Sequence, residues 1–230
     1  MNEPTTILTV REEVAAIEQA ICSLGEDLTI LEAGCGRRWP LKLAIRYRLV
    51  GVDPDEDALQ LRRSSRGDLD EYQVGRINEA VFPEQSFDVI YCSFVLEHVK
   101  GVQEVLDDFG RWIKPGGLLV LRIPDSRSVY GFIARHTPHW LHIAIRRHVL
   151  GFKHAGKPGF GPYPVVYEPA MSLAALERYC ARNGYSMSVT GSAEYLESAR
   201  WLAPFAAVLS ALSCGYLKWR HNNLAVLIRT

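Results

Sequence analysis

From residue 10 to residue 124 the chain alternates helix-forming stretches with short apolar runs. Residues 10–24 carry Val14, Ile17, Ala20, Ile21 and Leu24 at helical spacing, which predicts an amphipathic helix. "DLTILEAG" (27–34) predicts a buried strand ending on glycine, and "YRLVGVD" (47–53), "EYQVGRI" (71–77) and "SFDVIYCS" (86–93) predict three more. Pro40 opens a short predicted helix over 40–47. The acidic start of "DEDALQLRR" (55–63) predicts another. A helix from Leu96 to Ile113 runs into "KPGG", after which "LLVLRIP" (118–124) is a fifth strand. Such alternation predicts an α/β fold, a doubly wound and mostly parallel sheet with helices on both faces.

The last third breaks the rhythm. Residues 126–168 are rich in Gly, Pro, His and aromatics and predict irregular structure. Residues 172–183 predict a helix opened by Ser172 and closed at Asn183–Gly184. "YSMSVTG" (185–191) and "NLAVLIR" (223–229) predict two final strands. Between them residues 201–217 carry no charge and precede Lys218 and Arg220, at the short edge of a membrane span. Pro204, Ser210, Ser213 and Gly215 interrupt the stretch, which favours a buried helix pair; a membrane-surface contact is the other expectation. One domain is expected over 1–230, with an N-terminal helix (1–27), a ligand-binding core (28–125) and insertions (126–170 and 196–218) over the substrate side.

Lys plus Arg and Asp plus Glu both number 26, so no global field favours nucleic acid. The five cysteines form no C-x-x-C and predict reduced thiols rather than a disulfide framework or a zinc site; no metal is expected. The first residues lack a basic region followed by an apolar run, so no signal peptide and a cytoplasmic location are expected.

"LEAGCG" (31–36) places two glycines after the first apolar run, where a parallel sheet binds ligands. Gly34 and Gly36 let the backbone bend and a ligand approach. Asp53 ends the second run about 20 residues on, the spacing of an acid that holds ribose hydroxyls. A dinucleotide site needs a third small residue, and here Trp39 follows Arg37 and Arg38. Glu32 disfavours a pyrophosphate and favours a cation. S-adenosylmethionine has that character, with a ribose, a sulfonium and an amino-acid tail.

"ILEAGCG", "LVGVDPDEDAL", "FPEQSFDVIYCSFVLEHV" and "IKPGGLLVLRIPD" resemble, in order and spacing, the motifs of class I S-adenosylmethionine-dependent methyltransferases. The resemblance is greatest to the subgroup with the ubiquinone and menaquinone biosynthesis methyltransferases and covers about residues 28–124. It implies a seven-stranded sheet with an antiparallel last strand, S-adenosylmethionine as cofactor and S-adenosylhomocysteine as product. It also implies that Glu32, Gly34, Cys35, Gly36 and Ser93 line the methionine end, that Asp53 accepts from both ribose hydroxyls and that Pro54 flanks the adenine. Arg76 stands where the family often has an acid that meets the adenine amino group. Ile77 backbone remains available to the ring edge, and Asn78 or Glu79 could substitute.

The acceptor is less legible. In "LEHV", Glu97 and His98 follow the fourth strand; His98 has the intrinsic pKa of a base, and bracing of the loop is the alternative. Residues 126–167 hold six Arg or Lys, five of the seven histidines and no Asp or Glu, which suits an anionic substrate, an anionic membrane surface or an ordinary solvated face. "GKPGFGPYPVVYEP" (156–169) reads as a substrate lid or a packed loop, with His154, Tyr163 and Tyr167 as candidate substrate residues. The expected activity is methyl transfer to a small molecule, most often at oxygen in such families, the acceptor being a metabolite, a sugar or a lipid-linked precursor; peripheral membrane contact through 136–150 or 201–217 is an alternative to ordinary packing of those segments. A cofactor-binding sensor or partner subunit without activity is the alternative, and a nicotinamide oxidoreductase a more distant one.

Overall fold

A computed structural model describes residues 7–125, 127–149, 151–157, 160–166, 168–194, 203–217 and 222–230. The first half of the chain runs β1 (Ile7–Thr9), α1 (Val10–Cys22), β2 (Leu28–Ala33), β3 (Tyr47–Asp53), α2 (Glu56–Leu61), β4 (Glu71–Val74) and β5 (Phe87–Ser93). It continues through α3 (Val102–Trp112), β6 (Ile113–Pro124), α4 (Val129–His136), α5 (His139–Ala144), α6 (Leu173–Asn183), β7 (Tyr185–Glu194), α7 (Ala203–Leu212) and β8 (Asn222–Arg229). The strands form one sheet in the order β1-β7-β8-β6-β5-β2-β3-β4.

Seven of these strands follow the expected plan, with β8 antiparallel to both β6 and β7. The eighth, β1, was not expected. Its three residues pair parallel with the end of β7, Ile7 opposite Ser192 and Thr9 opposite Glu194. Three residues are too few for alternation to register. Thr9 then caps α1 through a reciprocal capping box with Glu12.

Alternation within the strands builds two cores. Leu31, Val50, Ile90, Leu119 and Ala225 face α3 and α6, while Ile30, Leu49, Val89, Val120 and Val226 face α1 and α2. Both sheet faces are therefore covered, as near-continuous apolar strands require.

Several boundaries differ from expectation. Residues 40–47 form no helix before β3 begins. Trp39, Leu41, Leu43 and Ile45 alternate instead and lay an extended segment on the α1/α2-side core. The helix expected from Leu96 is split: a 3₁₀ turn spans Leu96–His98, and α3 starts only after Gly101, whose φ is 77°. β4 ends at Val74, where the Gly75 N–H makes the last ladder bond, to the Asp53 carbonyl (3.1 Å). β6 starts early and runs through "KPGG" with a register shift against Phe87 and Val89. The described part of 126–168 holds two short α-helices and a π-helical turn over Ile145–Val149 where irregular structure had been expected. Among the described part of 201–217 there is one helix, not a buried pair: Leu209 and Leu217 pack on Val129 and Phe132, while Phe205, Val208 and Leu212 are exposed. No helix among the described residues is long and apolar enough to cross a membrane.

Candidate functional site at the carboxyl ends of the strands

β2 pairs with β3 on one side and β5 on the other, so the strand order reverses at β2. The turn after β2 lies at that switch point, where an open parallel sheet leaves a crevice. Gly34 donates to the Val52 carbonyl (2.8 Å), and its φ of 73° is left-handed. A Cβ there would stand 2.1 Å from Val95 Cγ2. Gly36 is also left-handed, at 50°, but a Cβ there would meet nothing within 4 Å among the described residues. Gly34 therefore packs against Val95, whereas Gly36 faces open space. The Cys35 side chain turns inward to Gly51, where burial pushes its thiol up; only its backbone belongs to the turn.

Asp53 ends β3 beside this turn. One carboxylate oxygen accepts from the Gly36 N–H (2.9 Å) and the other from the Asp55 N–H (2.8 Å). Asp55 caps α2 through Ala58 and pairs with Arg37 at 3.1 Å. Pro54 is exposed between them.

Glu32 sits beneath the turn rather than in it. Its carboxylate is buried and meets Arg62 Nη1 at 2.6 Å. The same guanidinium donates to the Cys35 carbonyl (2.8 Å) and to Asp68 (3.2 Å), so Arg62 ties α2, the turn and β2 together. Burial raises the Glu32 pKa, and the Arg62 charge opposes the rise. Trp39 does not block the crevice: its indole packs edge-on against Tyr91 at 5.4 Å, within the α1/α2-side core.

Across the crevice, Ser93 Oγ lies 3.3 Å from Arg122 Nη1. Arg122 is buried and also pairs with Glu13 of α1 at 2.6 Å. Phe94, next in the chain, has a φ of 56°, which costs energy for an aromatic residue and marks a constrained corner. Glu97 and His98 follow. The Glu97 side chain is 5% exposed, and its Oε2 has no hydrogen-bond partner among the described residues. Burial pushes that carboxyl up to about 8. His98 Nε2 lies 3.9 Å from Glu97 Oε1, and Nδ1 meets the Pro164 carbonyl at 2.7 Å. A carbonyl only accepts, so Nδ1 carries the proton and Nε2 keeps the lone pair when the ring is neutral. Burial lowers the His98 pKa, opposed by that hydrogen bond.

The segment that supplies Pro164 is strapped over this corner. Val166 N–H donates to the Glu97 carbonyl (2.8 Å), and the Glu168 carboxylate accepts from Gly101 and Val102 N–H (2.8 and 3.0 Å), capping α3 from far along the chain. At the other end of the strap the Arg37 guanidinium lies 4.7 Å over the Phe160 ring. Tyr163 packs edge-on against His98 at 5.7 Å, and the negative charges of Asp53 and Asp55 add to burial in raising its pKa. The structure thus brings Gly34, Gly36, Asp53, Ser93, His98 and Tyr163 to one end of the sheet. His154 is farther out, its ring 5.2 Å from Phe160. Tyr167 lies outside the described residues.

Beyond β4, Ile77 is buried within a 3₁₀ turn, while Arg76 and Asn78 are exposed. Among the described residues no three His, Cys, Asp or Glu gather as metal ligands. Three contributors had not been anticipated: Arg62, the Arg37–Phe160 contact and the Glu168 cap. Only Arg62 left a trace, since Ala58, Leu59 and Arg62 share the inward helix face opposite a buried acid.

A family model described as a methyltransferase domain matches residues 9–155, more than half of the chain. The demethylmenaquinone methyltransferase of Symbiobacterium thermophilum is 29% identical over 120 residues, covering 48% of this chain and 45% of that protein. The chain spans about half the length of the curated relatives it matches. Among solved structures, an S-adenosylmethionine-dependent methyltransferase from Mesorhizobium loti superposes with a TM-score of 0.60 at 16% identity, covering 94% of this chain and 98% of that one. The magnesium protoporphyrin IX methyltransferase of Synechocystis, with bound S-adenosylhomocysteine, gives 0.54 at 14% identity over 94% of this chain and 82% of that one. At such identities the likeness shows the fold.

Proposed function

The chain belongs to the methyltransferase-domain family, and we propose that it transfers a methyl group from S-adenosylmethionine to an oxygen of a small-molecule acceptor. The observation that carries this reading is Asp53, a carboxylate at the carboxyl end of β3 whose two oxygens are aligned by backbone N–H groups beside the open face of Gly36. A ribose diol matches two such acceptors. Gly34, the Cys35 backbone and Gly36 would flank the amino-acid tail, with Ser93 across from them. Pro54, Ile77 and Asn78 would border the adenine. Glu32 acts through Arg62, which fixes the turn, rather than by meeting the ligand's charge directly.

Bound S-adenosylmethionine supplies a methyl group on a sulfonium, already a good leaving group. The chain's task is to position the acceptor and exclude water. We assign the described parts of the strap, residues 160–166 and Glu168, to the exclusion and His98 Nε2 to the proton. The turn and Asp53 would hold S-adenosylmethionine, which would supply the methyl group and leave as S-adenosylhomocysteine, while His98 Nε2 would take the proton released by the acceptor hydroxyl. Nδ1–H stays on the Pro164 carbonyl and keeps that nitrogen available.

The test is incubation with methyl-labelled S-adenosylmethionine and a panel of hydroxylated acceptors. Label transfer that disappears in Asp53→Ala is the expected result. Cofactor binding with no transfer to any acceptor would favour a sensor or partner subunit instead. A pH–rate profile on an accepted substrate should fall on an acid limb below 6.5, because burial holds the His98 pKa below that value. His98→Gln should remove the limb along with most of the rate.

A further inference from the structure

Next to the strap lies a cavity of about 530 Å³ lined by Arg146, Phe152, Lys153, His154, Phe160 and Gly161 among others. Its walls come from one stretch of chain folded on itself. Arg147 donates to the Ala155 carbonyl (2.6 Å), and Phe152 N–H donates to the Arg146 carbonyl (2.9 Å). The Arg146 guanidinium lies 6.0 Å over the Phe152 ring. Among the described residues no carboxylate lies within ion-pair distance of Arg146 or Lys153. Residues 126–167 contain no Asp or Glu at all. Most clustered cations on a neutral protein are answered by acids nearby; these converge on a concavity with two aromatic rings as walls. Phe160 is shared with the first site: it carries Arg37 of the glycine turn and faces His154 of the cavity.

We propose that this cavity binds a phosphate group of the methyl acceptor, with the rest of the acceptor leading past Phe160 toward His98. The inference rests on the methyl-transfer reading for the identity of the ligand, but the cavity's chemistry is independent of it. A guanidinium offers paired donors to phosphate oxygens, an ammonium adds a point charge, and the aromatic walls suit an apolar or planar body. The phosphate belongs either to a soluble metabolite or to a lipid headgroup, and the chemistry recognised is the same.

Calorimetry with phenyl phosphate, benzoate and S-adenosylhomocysteine tests it. Phenyl phosphate should bind one to one and more tightly than benzoate. Arg146→Met/Lys153→Met should weaken it by about tenfold or more, the scale of losing hydrogen bonds to a charged group. Arg178→Met, an exposed charge on α6, should leave it unchanged. S-adenosylhomocysteine affinity should be the same in all three proteins, so failure of the cavity and failure of the cofactor site are separable. Sedimentation with phosphatidylcholine vesicles containing phosphatidylglycerol identifies the source. Binding that phenyl phosphate competes away supports the cavity holding a headgroup; absence of sedimentation alongside phenyl phosphate binding supports a soluble phosphate. No phenyl phosphate binding, equal binding by the double variant, or vesicle binding that phenyl phosphate cannot compete would overturn the proposal.

Discussion

Glu97 keeps a carboxyl almost wholly out of water with one oxygen unpartnered among the described residues, an arrangement that costs stability unless the group is protonated. Burial raises its pKa from 4.5 to about 8. Between those values the unfolded chain has released this proton and the folded chain retains it, so ionisation favours unfolding and stability declines as pH rises. Where the difference is complete the slope is about 1.4 kcal/mol per pH unit. Glu97→Gln should remove that part of the slope, and thermal melts from pH 5 to 9 should show the variant gaining on the wild type as pH rises. Parallel curves would show that Glu97 is ionised throughout. Gly34 is the second residue on which the site turns. Gly34→Ala must place a side chain at a left-handed φ, at about 1–2 kcal/mol, and push Val95 aside, at about 1–3 kcal/mol more. Denaturant melts should show both costs, and Gly34→Ala/Val95→Ala should recover only the second.

At the scale of elements, α2 and the strap both brace the crevice, and Arg37 touches the N-cap of the one and Phe160 of the other. Arg62 joins α2 to Glu32 and to the glycine turn through a buried ion pair. Removing one partner of such a pair leaves an uncompensated buried charge, so Arg62→Met should destabilise by about 3–5 kcal/mol. The strap is anchored at Glu168 and pinned at Phe160. Glu168→Ala removes the acceptor for the first N–H groups of α3 and should cost about 1 kcal/mol. Phe160→Ala breaks the contact with Arg37 and should leave global stability nearly unchanged while speeding hydrogen exchange at the Val166 amide, which bonds Glu97 across the strap. Unchanged exchange at Val166 would mean that the strap is held by its anchor alone.

For the whole molecule, the two-faced strands β2, β3, β5, β6 and β8 were legible because each is a near-continuous apolar run, and the antiparallel end followed from the family resemblance. The glycine turn and Asp53 were legible because their spacing is set by one strand, one turn and the next strand. What did not show in the sequence depends on distant partners. The extended segment at 39–45 is captured by a core that its own propensity does not reveal. Arg62 neutralises Glu32 across 30 residues, and Glu168 caps a helix that begins 66 residues earlier. Glu32 had been expected to meet a ligand's positive charge; the fold gives it a protein cation instead and leaves Asp53 as the carboxylate at the open turn. Cofactor recognition therefore depends on Asp53, and calorimetry of this chain with S-adenosylhomocysteine and with NAD, repeated on Asp53→Ala, tests that dependence. Binding of S-adenosylhomocysteine in preference to NAD, weakened at least about tenfold by the substitution, is the predicted result; preferential NAD binding, or S-adenosylhomocysteine affinity indifferent to Asp53, would contradict it.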